Sequence, residues 1–221
     1  CDSLLESRID FGGNWTNDSS FSPGIGLVNL FGDNQVIGGL NESKYHKINL
    51  LGGYLSVKSL ENNIEVNEVL NLNNAELATN KSSATMLLGS NEILRQEGFV
   101  STKLSGRLNR QFSNEKQITS SFPLGHNNGN RVILKPIVVN ATDSGTFRTA
   151  FIYRNAALHK MDTDELDDSL CTVNEEYFHI AGADPRVKAY FGILNGDEYS
   201  WSRLAYWEGP WTKMSNSSYR E

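Results

Sequence analysis

The chain has little cysteine, little proline and no surplus of positive charge. Its 221 residues include two Cys and five Pro, and 20 Lys+Arg stand against 26 Asp+Glu for a net charge of -6. Each shortage removes a class of function. An acidic balance argues against a general nucleic-acid binder, which works through a basic face. Cys1 and Cys171, with the scattered His46, His126, His159 and His179, offer no close set of ligands for structural zinc. No apolar run approaches the ~18 residues of a helical membrane span. There is no G-x-S-x-G nucleophile elbow and no glycine-rich phosphate loop. The sequence opens at Cys1 without Met or signal peptide. Three readings of that start stay open: a fragment cut from a longer protein, which is favoured; a mature lipoprotein with a lipidated Cys1; or a disulfide between Cys1 and Cys171 in an oxidising compartment.

Asparagine is what the chain has in excess. Its 24 Asn, beside 19 Gly, supply turns and left-handed backbone. Four Trp, eight Tyr and ten Phe can anchor a core, which argues against disorder. Residues 1–24 read as a polar lead-in whose Phe11, Trp15 and Phe21 need packing partners. From 25 to 105, short apolar pieces alternate with period two between Asn/Gly corners. Ile48-Asn49-Leu50 meets Gly52-Gly53, Val69-Leu70-Asn71-Leu72 meets Asn73-Asn74, and Ala84 to Leu88 meets Gly89. Strands this short, with corners this regular, predict a β-solenoid of stacked rungs over 25–105, an ordinary β-meander being the plainer alternative. Glu92 to Gln96 reads as a short helical turn. From 106 to 221 the strands lengthen: Arg131–Val139, whose Pro136 suggests an edge or bulge, then Gly145–Tyr153, Glu176–Ile180, Arg186–Ile193, Trp201–Trp207 and Trp211–Met214. They predict a β-sandwich. The expected fold class is all-β, a short β-solenoid followed by an antiparallel β-sandwich.

The order of certain words carries a resemblance. Val66 to Leu77 is a leucine-asparagine text. Gly98-Phe99-Val100-Ser101-Thr102-Lys103-Leu104-Ser105-Gly106-Arg107-Leu108 follows, then Phe122-Pro123-Leu124-Gly125, Gly145-Thr146-Phe147, Glu176-Tyr177-Phe178 and Trp207-Glu208-Gly209-Pro210-Trp211. Over roughly 45–214 this resembles the large secreted surface proteins of Bacteroidota exported by the type IX route. Phe178 stands where that family more often has Trp, and Glu208 where it has Asn or Asp. The resemblance implies an extracellular stalk-like or adhesive module at the cell surface and carries over no catalytic residue. It also makes Asp168-Ser169-Leu170, a D-[ST]-aliphatic triplet, a candidate O-glycosylation site at Ser169.

Two residue groups invite chemistry. Asp162, Asp164, Glu165, Asp167 and Asp168 are hard oxygen ligands at close spacing, which suits Ca²⁺, although a solvated acidic loop is the favoured reading and no cofactor is expected. Trp201, Trp207 and Trp211 are candidate glycan contacts, although filling the sandwich core is the favoured reading. The function expected is a non-enzymatic extracellular structural or adhesive module. Its partners would be neighbouring segments of a long chain, other surface subunits or glycans, with no nucleic acid and no membrane span. A polysaccharide-binding or polysaccharide-cleaving protein on the same scaffold is the alternative, and a filament or phage structural subunit the second alternative.

Overall fold

The structure is a computed structural model describing residues 7–21, 24–80, 82–86, 92–112, 118–141, 143–162, 164–168, 170, 176–183, 187–191, 205–207 and 209–214. Strand accounts for 55% and helix for 2%, so the class is all-β, and the strands wind into a β-solenoid of about 5 turns. The chain divides into two compact units, Cys1–Phe151 with Ile180–Gly192, and Ile152–His179 with Ile193–Glu221.

In the first unit the chain alternates between two parallel sheets. Strands β1 (Arg8–Phe11) and β2 (Trp15–Thr16) start the stack, followed by β3 (Leu27–Leu30) and β4 (Asn34–Gly38), β5 (Ser43–Leu50) and β6 (Val57–Leu60), and β7 (Ile64–Asn71) and β8 (Glu76–Ala78). Then come β9 (Ser83–Met86), β10 (Glu92–Leu94), β11 (Phe99–Ser101) and β12 (Arg107–Phe112). After these come β13 (Ile118–Phe122), β14 (Leu124–Asn127), β15 (Val132–Leu134), β16 (Ile137–Ala141), β17 (Gly145–Ile152), β18 (Phe178–Ala183) and β19 (Val187–Phe191). One sheet runs β1-β3-β5-β7-β9-β12-β17-β18, with β10 also on β7; the other runs β15-β14-β11-β8-β6-β4-β2. Pairing is parallel from β1 to β12 and from β2 to β14, and turns antiparallel at β12/β17 and β14/β15. A third sheet is β13-β16-β19.

Parallel pairing therefore begins before residue 25 and continues past 105. Among the described residues the polar lead-in supplies the first rung: Arg8–Phe11 is a strand paired in parallel with Leu27–Leu30, with all four residues exposed. Glu92–Leu94 is not a helical turn but β10, held in parallel against Val69–Asn71. Pro136 ends the expected long strand Arg131–Val139: Val132–Leu134 and Ile137–Ala141 belong to different sheets. Lacking an N–H, proline sits where the ladder is handed from one sheet to another.

The core follows from register. Alternation sends every second side chain inward, and parallel stacking puts equivalent positions in columns. Val28, Ile48 and Leu70 form one column, Leu30 and Leu50 the next, and Tyr45, Val66 and Met86 a third, all at most 2% exposed. Leu77, Val100 and Leu124 do the same from the opposite sheet. Trp15 packs edge-on against Phe21 at 4.8 Å and tilts toward Tyr45 at 5.6 Å, while Phe11 meets Trp15 at 5.6 Å. That cluster houses the three lead-in aromatics.

Asparagine joins rung to rung. Asp10, Asn29, Asn49 and Asn71 are in register. Asn49 Nδ2 donates to Asn29 Oδ1 at 2.9 Å, and Asn29 Nδ2 to Asp10 Oδ1 at 2.6 Å. At the corners the backbone ladder is interrupted, and side chains of one turn accept from main-chain N–H groups of the next. Asn14 accepts from Val36, Asp18 from Leu40, Asp33 from Gly53, Asn63 from Ser83 and Asn74 from Glu97, across 20 to 23 residues. Asn73 takes φ 46 and donates its amide to the Leu50 carbonyl. Gly106 is required by approach, since a Cβ there would fall on the Thr79 carbonyl. Thr102 Oγ1 both accepts from Phe151 N and donates to Phe151 O, each at 2.8 Å.

In the second unit, the hairpin β20 (Ala205–Trp207) and β21 (Trp211–Lys213) carries the acidic loop along its edge: Trp211 N donates to Glu165 O and Asp167 N to Trp211 O. A single 3₁₀ turn, Ala156–His159, is capped by Asn155.

Two substitutions separate column from ladder. Ile48→Ala is expected to cost about 2–5 kcal/mol by cavity formation. Asn49→Ala is expected to cost about 1–3 kcal/mol by orphaning the Asn29 carbonyl oxygen. Urea unfolding midpoints of both variants check this, and an Asn49→Ala protein as stable as the wild type would remove the ladder from the account.

Candidate functional site

Of the residues singled out from sequence, Trp207 and Trp211 come together. They are cross-strand partners in the β20/β21 hairpin, with ring centroids 5.7 Å apart and planes at 64°. Trp211 is 8% exposed and Trp207 half-buried, so the pair meets edge to face and does not form one flat exposed platform. Trp201, Ser169, Cys1 and Cys171 lie outside the described residues. Asp162 Oδ1 accepts from Asp164 N at 2.9 Å, and the loop is tied to Trp211 through its backbone. Among the described residues no group of three or more His, Cys, Asp or Glu is placed to hold a metal ion.

The outward rows of the first sheet carry the charge. Lys44 and Glu65 are register neighbours, and Lys44 Nζ lies 2.9 Å from Glu65 Oε1, with Glu42 at 4.0 Å. The bond to Glu65 and its charge raise the Lys44 pKa. His46 Nε2 and Lys47 Nζ converge on Glu68 Oε2 at 2.7 and 3.7 Å. At the edge, Arg8 bonds Asp10 at 2.8 Å, and the hydrogen bonds from Arg8 and then Asn29 lower the Asp10 pKa. The Lys44–Glu65, His46–Glu68 and Lys47–Glu68 pairs all bridge β5 and β7, neighbouring strands about 4.8 Å apart.

A second polar group sits inside the stack. Lys58 shares its strand face with Leu60, is in register with Gln35 and Leu77, and is fully buried. Its Nζ donates to the Gly32 carbonyl and, at 2.7 Å, to Gln35 Oε1. Gln35 in turn accepts from Gly32 N at 3.0 Å and donates to the carbonyls of Phe11 and Gly13. Burial pushes the Lys58 ammonium down to about 8, with the Asp33 carboxylate opposing. Arg110 repeats the pattern later: it aligns with Met86 on the inner face, is 6% exposed, and burial lowers it to about 10 against the pull of Glu92. Sequence reading overlooked both, although parity was a usable signal: Lys58 keeps step with Leu60, and Arg110 with Leu108 and Phe112.

A third cluster lies near β8, β11 and β14. Ser101 Oγ donates to Glu76 Oε1. His126 is half-buried, and burial lowers its pKa, with Glu76 raising it and Lys103 lowering it. Here the serine hydroxyl is held by a carboxylate.

Lys58 makes stability depend on pH. Its folded pKa lies below its unfolded value of 10.5, so between about pH 8 and 10.5 the unfolded chain holds the proton that the folded chain has released. Stability is therefore expected to rise across that window, by up to about 3 kcal/mol. Lys58→Met should flatten the rise; equal pH profiles for variant and wild type in urea unfolding would refute the assignment. No family model, no curated protein and no solved structure matches this chain.

Proposed function

We propose that the chain is a non-enzymatic structural or adhesive module of an extracellular bacterial surface protein, of the Bacteroidota kind its motif order resembles. One observation carries the reading: its characteristic polar residues hydrogen-bond to the neighbouring turn. Asn29 and Asn49 bond each other, and Asn14, Asp18, Asp33, Asn63 and Asn74 secure the next corner. Such side chains serve mechanical continuity, because each turn contacts mainly its neighbours and the stack resists separation rung by rung. We read the antiparallel strands after β12 as a β-sandwich that closes the stack. Phe122 of β13 and Phe147 of β17 lie 5.2 Å apart, and Ile137 and Val139 of β16 are fully buried. Neighbouring segments of a long chain or other surface subunits are the partners this role requires.

A second reading, binding to a polysaccharide, is favoured by the charged pairs Lys44–Glu65 and Lys47–Glu68, which set polar donors and acceptors side by side on β5 and β7. Titration calorimetry of the full chain against acidic and neutral polysaccharides, with a parallel assay for released reducing ends, separates the readings. The structural role predicts neither heat nor product. Saturable heat, lost in Lys44→Glu with unchanged melting, would install the second reading, and released reducing ends would overturn the non-enzymatic one.

A further inference from the structure

We propose that two copies of this chain associate head to head through β1, antiparallel, about a twofold axis passing at Ile9. Among the described residues, strand β1 is the edge of its sheet, pairing with β3 on one side, and all four of its residues are exposed. Its backbone and its side chains both define what fits there.

The backbone comes first. Leu27 N donates to Ser7 O at 2.8 Å and Phe31 N to Phe11 O at 3.1 Å. The odd-numbered residues of this segment thus direct their peptide groups toward β3. By strand alternation, Arg8 and Asp10 direct their N–H and C=O groups to the open side. An antiparallel strand joining that edge makes its paired hydrogen bonds through these two residues, leaving Ile9 as the close, non-hydrogen-bonded position between them.

The side chains then select the partner and the register. Ile9 and Phe11 align with Val28 and Leu30, the buried face of every later rung, yet are 41% and 37% exposed. Phe31, 52% exposed, extends this apolar surface, its ring lying against Gly12. Arg8 and Asp10 flank Ile9 on the opposite face with opposite charges. Antiparallel registers that set Arg8 on Arg8, or Asp10 on Asp10, oppose like charges directly and are disfavoured. The register that sets Ile9 on Ile9 places each Arg8 opposite the other copy's Asp10, twice, by symmetry. A plus–apolar–minus edge is self-complementary under a twofold axis, which is the property of an isologous dimer interface. The present Arg8–Asp10 contact is an exposed ion pair of small worth, so exchanging it for the contact between copies costs little.

A four-residue edge makes a weak, concentration-dependent dimer, at the low end of interface sizes. Sedimentation velocity of the full chain, from micromolar to millimolar, should show reversible monomer–dimer exchange. Arg8→Asp or Asp10→Arg alone should weaken it about tenfold or more, and the double exchange R8D/D10R should restore it. Ile9→Lys should abolish it, with thermal melting followed for every variant to confirm folding. A protein that stays monomeric throughout the range overturns the proposal. So does a dimer indifferent to the single charge reversals, or a folded double variant that remains monomeric.

Discussion

A solenoid must satisfy its backbone at the corners, and the rest of this structure depends on how that is done. Along the strands, parallel ladders pair each N–H and C=O with the turns on either side. At the corners the chain reverses and the ladder lapses, leaving polar groups that burial would make costly. Asn and Asp fill the gap: a short side chain ending in an acceptor reaches the N–H of the next turn, as Asn14, Asp33 and Asn63 do. The same bond recurs at five places in the stack, three of them made by Asn and two by Asp.

With the corners satisfied, the interior can be built from columns. Val28, Ile48 and Leu70 lie directly over one another because register is fixed at both ends of each strand. The same constraint allows the exceptions. Lys58 stays buried because Gln35 and the Gly32 carbonyl sit one turn away to receive its protons. A buried amine without such acceptors would leave its turn unstable, and this one still titrates well below an ordinary lysine. Past these columns the pairing changes from parallel to antiparallel, at β12 with β17 and at β14 with β15.

Function is read from how polar groups are spent. Those with the strongest sequence signature, the asparagines, bond one another across turns, and the charged residues form pairs along the outer rows. Near Ser101 the hydroxyl donates to Glu76, whose charge also raises the His126 pKa against the burial that lowers it. The mechanical role proposed rests on these turn-to-turn bonds, and the proposed pairing of copies on β1, the edge strand among the described residues.

Sequence by itself determined the local rules. Period-two alternation gave strands, Asn and Gly gave corners at Gly52 and Asn73, and their regular spacing pointed to stacked turns. Those signals are local, since they arise from backbone sterics and from the side chain's own reach. What tertiary structure decided was pairing. Arg8–Phe11 reads as a polar lead-in until Leu27–Leu30 lies beside it, and Glu92–Leu94 reads as helical until Val69–Asn71 receives it. Lys58 and Arg110 look like surface residues until the register turns them inward. For β1 and β10 the deciding energy belongs to contacts with strands about twenty residues away, which no local pattern encodes.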